Sequence, residues 1–134
     1  MQGESSKTLR RALAVALSDP REALRILDAG LREAQEHGDR EATSALARHA
    51  AVVSMTVGDL DVTLRYYEAA LGADPNDASL HLAVGDVYRR QGRHGKARLA
   101  FARSLELGKQ QASKDITTMA STALAALERE AGGR

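Results

Sequence analysis

Apolar residues recur at helical spacing along most of the chain. Leu24, Leu27 and Leu31 fall three and four residues apart, as do Leu60, Leu64, Tyr67 and Leu71, and Ile116, Met119, Ala123 and Leu127. That period gathers them on one face of an α-helix, with polar residues opposite. No segment shows two-residue alternation with β-branched enrichment, so no strand is predicted. The breakers sit between the periodic segments: Pro20 and Pro75, and the glycines at 38, 58, 92 and 108. The pattern predicts helices over about 6–17, 20–37, 40–57, 60–72, 78–91, 95–107 and 113–130. Asp19 is the expected N-cap of the second, because Pro20 suits a first helical turn. "ADPND" ends the fourth, because the residue before a proline is pushed out of the helical region.

The helices repeat. Gly58 and Gly92 are 34 residues apart, as are Tyr67 and Phe101, and Leu71 and Leu105. Turn, aromatic and leucine thus stay in register, and a helix of about 14 residues precedes each of the two glycines. The clearest unit is "ASLHLAVGDVYRRQGRHGKARLAFARSLELG", residues 78–108. Such helix–turn–helix units at this period resemble the tetratricopeptide repeat. Val84 and Gly85 match the family's Leu-Gly pair, whose small member lets two helices approach closely. Tyr88 matches its first-helix tyrosine, Ala97 the small residue of the second helix, and Phe101 the aromatic. Ser104 stands where alanine is usual, and His81 replaces the family's tryptophan. Residues 44–77 form another unit, keeping Gly58, Tyr67, Ala70, Leu71 and Pro75. There Ala50-Ala51 replaces Leu-Gly, Ser54 the tyrosine and Thr63 the small alanine. Residues 6–37 form a degenerate unit, with Ala23 as the small residue of a longer second helix. Its first helix, carrying Leu9, Leu13 and Leu17, fits the pattern poorly.

The expected fold is therefore all-α: one domain over 1–134, built of stacked helical hairpins with a capping helix over 113–130. Each amphipathic pair needs a neighbour to bury its face, which is the logic of a repeat stack. The resemblance implies a right-handed superhelix with a concave groove lined by the first helix of each pair. It also implies docking of a protein or peptide segment there. Groove positions should recur 34 apart, pairing Arg48 with Leu82, Val52 with Asp86, and Met55 with Arg89. Arginine and methionine are useful at protein interfaces.

Charge adds a second candidate surface. The net charge of +1 argues against a general polyanion binder. Its distribution is uneven, however. Residues 19–86 hold 13 acidic and 6 Lys/Arg residues, whereas residues 89–114 hold 8 Lys/Arg and one glutamate. The basic face would be Arg90, Arg93, Lys96 and Arg98. It could dock an acidic protein or a second copy head to tail. Nucleic acid is the weaker competitor, since the nearby aromatics, Tyr88 and Phe101, occupy repeat core positions rather than a stacking platform.

Other chemistries find no support. "GRHGKA" has two residues between its glycines and alanine after its lysine. A phosphate loop needs four residues, Ser or Thr, and a preceding strand. His37, His49, His81 and His94 include no pair at the i, i+4 spacing of a helical metal site. No glycine-framed nucleophile is present. There is no cysteine, hence no thiolate ligand, disulfide or thiol nucleophile. The chain is read as non-enzymatic and free of cofactor or metal. A partner clamp for a carboxyl terminus is not assigned, because the one asparagine, Asn76, falls in a loop. "MQGESSKTLRR" lacks the apolar stretch of a secretory signal, and no apolar run reaches membrane-spanning length. A cytoplasmic protein is expected, without a membrane partner. Arginine outnumbers lysine fifteen to four, a composition pointing to a bacterial source.

Overall fold

The computed structural model describes residues 2–132. Among them are seven helices and no strand: α1 (Gln2–Val15), α2 (Pro20–Glu36), α3 (Arg40–Val57), α4 (Leu60–Ala73), α5 (Ala78–Arg90), α6 (His94–Gln110) and α7 (Lys114–Gly132). Their starts follow from local chemistry. The carboxylates of Asp19, Asp39 and Asp59 accept the backbone N–H three residues on, at 3.1, 3.0 and 3.2 Å. Asp77 accepts from Ser79 and Leu80, at 2.9 and 3.2 Å. Ser113 caps α7 through the N–H of Ile116, at 3.3 Å. Each cap satisfies a donor that the first helical turn leaves orphaned. α6 differs: it starts on Arg93, which makes no side-chain cap.

The turns share one device. Gly58 and Gly92 adopt φ of 92° and 76°, in the left-handed region that a Cβ disfavours. Ala112 holds the same kind of conformation, with φ 54°, between α6 and α7. After Gly92, the N–H of Arg93 reaches back to the Tyr88 carbonyl at 2.9 Å. The N–H of Ser113 reaches the Gly108 carbonyl, also at 2.9 Å. Orphan carbonyls at the helix end are thereby satisfied.

Some boundaries differ from the sequence expectation. α1 starts before residue 6 and stops at Val15, where the Asp19 N–H bonds the Val15 carbonyl at 2.7 Å. Leu17 consequently lies in a turn, fully exposed, and takes no part in an apolar stripe. α6 runs through Gly108 instead of ending there. A side chain at that position would press on Ile116 and Thr117 of α7, at 3.1 Å from each, so this glycine serves close packing rather than a break. α7 extends past residue 130.

The chain divides into two compact units, residues 1–75 and 76–134. The division falls within two residues of the boundary between the 44–77 and 78–108 repeats. In the first unit α2 packs on α1 and α3, α3 packs on α4, and α1 also touches α3. Ala12, Ala23, Leu27, Leu46, Ala47 and Ala50 are almost wholly buried. Tyr66 of α4 donates to the Asp28 carboxylate of α2 at 3.0 Å. In the second unit α6 packs between α5 and α7, which also touch each other. Its core is Ala97, Phe101 and Leu127, with Leu82, Tyr88 and Leu124 around it.

Gly85 makes the α5–α6 contact. A Cβ there would lie 2.5 Å from two atoms of the Phe101 ring, which is itself buried. Gly85→Ala should therefore destabilise the protein by about 1–2 kcal/mol in denaturant unfolding, overpacking outweighing the helix-propensity gain of about 1 kcal/mol. The Tyr66 hydroxyl offers a second check. Burial, then the hydrogen bond to Asp28 and that carboxylate's charge, push its pKa from 10.0 to about 12. A raised pKa means that this stabilisation is complete below pH 10 and is lost as pH rises through about 12. Ultraviolet absorbance titration should show late tyrosine ionisation, and Tyr66→Phe should reduce the amplitude of that late phase by one tyrosine.

Candidate interaction groove

Within the second unit, α5 and α7 run side by side in the same direction. Their starts, at Ser79 and Ile116, line one end of a groove, and Arg89 and Ala126 line the other. The groove has a volume of about 820 Å³. One wall is Leu82 and Ala83 of α5; the facing wall is Met119, Thr122 and Ala123 of α7; Phe101 of α6 contributes to the floor. The lining is mostly apolar, and Met119 is 53% exposed. Leucine and methionine left accessible in a concavity can take up an apolar side chain from elsewhere.

Ion pairs close one end. Arg89 bonds Asp86 at 2.8 Å and Glu130 of α7 at 3.4 Å. Arg90 bonds the other oxygen of Asp86 at 3.0 Å. His94 of α6 places Nε2 3.5 Å from Glu130. The hydrogen bond to Asp86 raises the pKa of Arg89 above the usual guanidinium value, helped by the charges of Asp86 and Glu130. Three helices thus meet at one set of charges, directly beside the apolar lining.

The sequence candidates separate into groups. Leu82, Asp86 and Arg89 all line this groove. Arg48, Val52 and Met55 share one face of α3 in the first unit; Val52 is 54% exposed and the other two are half-buried. Of the basic residues, Arg90 is committed to Asp86. Arg93 and Lys96 lie over the Tyr88 ring, 5.0 and 5.7 Å from its centroid. Such stacking holds a cation in place while leaving N–H donors free to meet an acceptor. Arg98 is exposed on α6. Among the described residues, no three His, Asp or Glu side chains converge as a metal site. No described helix is long and apolar enough to cross a membrane.

The α7 wall was missed by sequence reasoning, which placed Ile116, Met119, Ala123 and Leu127 together on one apolar face. Ala120 and Leu127 are the fully buried members of α7. Ile116, Met119, Ala123 and Ala126 face the groove instead. The available signal was breadth: apolar residues at 116, 119, 120, 123, 124, 126 and 127 span a wider arc than one helix contact requires.

Residues 54–112 match the family model of the tetratricopeptide repeat. This segment is similar to the tetratricopeptide repeat. It runs from the last turn of α3 to the turn after α6, and so carries α5 and the floor of the groove. No curated protein sequence matches the chain. Among solved structures, the chain is similar to the Yersinia enterocolitica type III secretion translocator chaperone SycD. The TM-score is 0.72 at 16% identity, over 95% of this chain and 88% of that one. It is also similar to SycD in complex with a peptide of the translocator YopD, with TM-score 0.70 at 16% identity, over 92% of this chain and 95% of that one. At this identity the likeness is one of fold: all-α helical repeat.

The ion pairs are partly exposed, so they should matter modestly to stability. Asp86→Asn loosens two arginines, whereas Glu130→Gln loosens Arg89 and His94 at longer range. Thermal unfolding should show a loss of roughly 0.5–1 kcal/mol for the former and less for the latter. Both losses should shrink at high salt.

Proposed function

We propose that this chain is a non-enzymatic adaptor that captures a segment of another protein in the groove between α5 and α7. The observation that carries the reading is the groove itself: about 820 Å³, mostly apolar, with an exposed methionine on its wall. The repeat family supports it, as does the neighbour of similar fold whose structure contains a bound peptide. Affinity would come from a few apolar anchors seated against Leu82, Met119 and Ala123. Arg48, Val52 and Met55 on α3 form a further candidate contact face. In this reading residues 1–134 are one repeat domain, and its setting is the cytoplasm, in line with the cysteine-free composition.

Selection of random twelve-residue peptides displayed on phage against the immobilised full chain tests the idea. Selected sequences should carry apolar anchors. The corresponding synthetic peptides, followed by fluorescence polarisation, should bind Met119→Lys at least about tenfold more weakly, because the substitution puts a charge against an apolar anchor. Met119 is exposed, so the variant should keep the wild-type circular dichroism and melting temperature. Unchanged peptide affinity in a folded variant would exclude this groove as the capture site.

A further inference from the structure

The α5–α6 turn is basic, and it adjoins one end of the groove. We infer that the groove selects apolar segments flanked by aspartate or glutamate, the acidic flank meeting Arg93 and Lys96. This rests on the groove being the capture site, and adds the chemistry of what it captures.

The argument begins with where charge lies. Asp86 and Arg89 are the charged residues lining the groove, and both stand near one end. The opposite end is lined by Ser79, Ile116 and Thr118, which are uncharged. A captured segment therefore meets charge at one end. At that end Asp86 is divided between Arg89 and Arg90, and Glu130 faces Arg89 and His94. Two carboxylates stand against Arg89, Arg90, Arg93 and Lys96, which leaves an excess of two positive charges even with His94 neutral. The excess belongs to Arg93 and Lys96. Neither is paired with Asp86 or Glu130; both are exposed and lie over Tyr88, next in sequence to the groove residue Arg89.

Their position suits recognition. A free arginine or lysine loses side-chain freedom when it takes a partner, and that loss weakens most exposed ion pairs. The Tyr88 ring already restrains both side chains, so less freedom remains to lose. The guanidinium of Arg93 can meet a carboxylate through two parallel N–H donors. A basic flank would instead meet uncompensated repulsion. Charge complementarity thus commits the groove to a partner segment with acidic residues beside its apolar anchors.

The test extends the peptide selection. Peptides chosen by the wild-type chain should be enriched in Asp and Glu beside their apolar positions. Replacing those acids by Gln or Asn should weaken binding by roughly three- to tenfold at low salt, with the difference fading at high salt. The variant Arg93→Glu/Lys96→Glu should reverse the preference and select Lys and Arg flanks. Arg93→Gln/Lys96→Gln, the milder pair, should abolish the preference without reversing it. Selected peptides without acidic enrichment, or with affinities indifferent to the acid-to-amide change, would overturn the inference. The groove reading would survive that result if Met119→Lys still weakened them. Sedimentation supplies the remaining outcome. A dimer that Met119→Lys dissociates would mean that a second copy fills the groove, which also overturns it.

Discussion

The Phe101 ring occupies the space that any side chain at position 85 would need. The rest of the second unit depends on that exclusion. Because Gly85 has no Cβ, α5 lies directly against the ring, and the ring in turn lies against Ala97 and Leu127. α6 is thereby held between α5 and α7. The same ring contributes to the floor of the groove between them. One missing methyl group therefore links packing to the shape of the surface that can take up a partner. Interiors are dense enough that such a contact cannot be relaxed gradually.

The preceding repeat reaches the same architecture with other residues. Position 51, which matches Gly85, is a wholly buried alanine, and Tyr67 stands in place of Phe101. The Tyr88 and Ala97 pair becomes Ser54 and Thr63, whose hydroxyls lie 2.6 Å apart in the interior. One hydroxyl donates to the other, and the acceptor's own proton goes to a backbone carbonyl: from Ser54 to Ala51 at 2.7 Å, or from Thr63 to Asp59 at 3.0 Å. A large and a small residue have been exchanged for two small hydroxyl-bearing ones, and the polar groups introduced are satisfied locally. Buried hydroxyls cost little when they are bonded and a good deal when they are not. In sequence, Ser54 and Thr63 read as two departures from the repeat pattern. In space they are one coupled substitution.

That contrast explains how much was legible. Five helix starts were marked by aspartate or serine, and three turns by a glycine with positive φ; these are local signals, and α3 ran over the anticipated residues. The 34-residue period put the aromatics Tyr67 and Phe101 in register, and the resemblance that it pointed to implied the close-packing roles of Gly85 and Ala97. α1 offered no such period, and its end depends on how "SDP" closes the turn around Val15. The role of Gly108 was hidden because a packing glycine and a breaking glycine look alike without the partner helix. The α7 wall was hidden for a related reason. Its apolar arc serves two surfaces, and only the position of α6 tells which part is covered. The ties of Arg89 and His94 to Glu130 join residues 41 and 36 apart, outside any helical spacing.

One local rule is broken where the groove's charged end begins. A helix N-terminus carries partial positive charge and favours an acidic or hydroxyl cap. α2 through α5 have aspartate there; α6 has Arg93, followed by His94, Lys96 and Arg98. Lacking a cap costs about 1 kcal/mol on general grounds, and cations in the first turn add to it. Stacking on Tyr88 recovers part of this for Arg93 and Lys96. It does not account for the choice of arginine over aspartate at position 93, since aspartate would cap the helix outright. Natural sequences tend to depart from local consistency at functional positions, where stability is not what the residue is kept for. In the reading proposed above, Arg93 fits that description as an acid-facing residue at the end of an apolar groove.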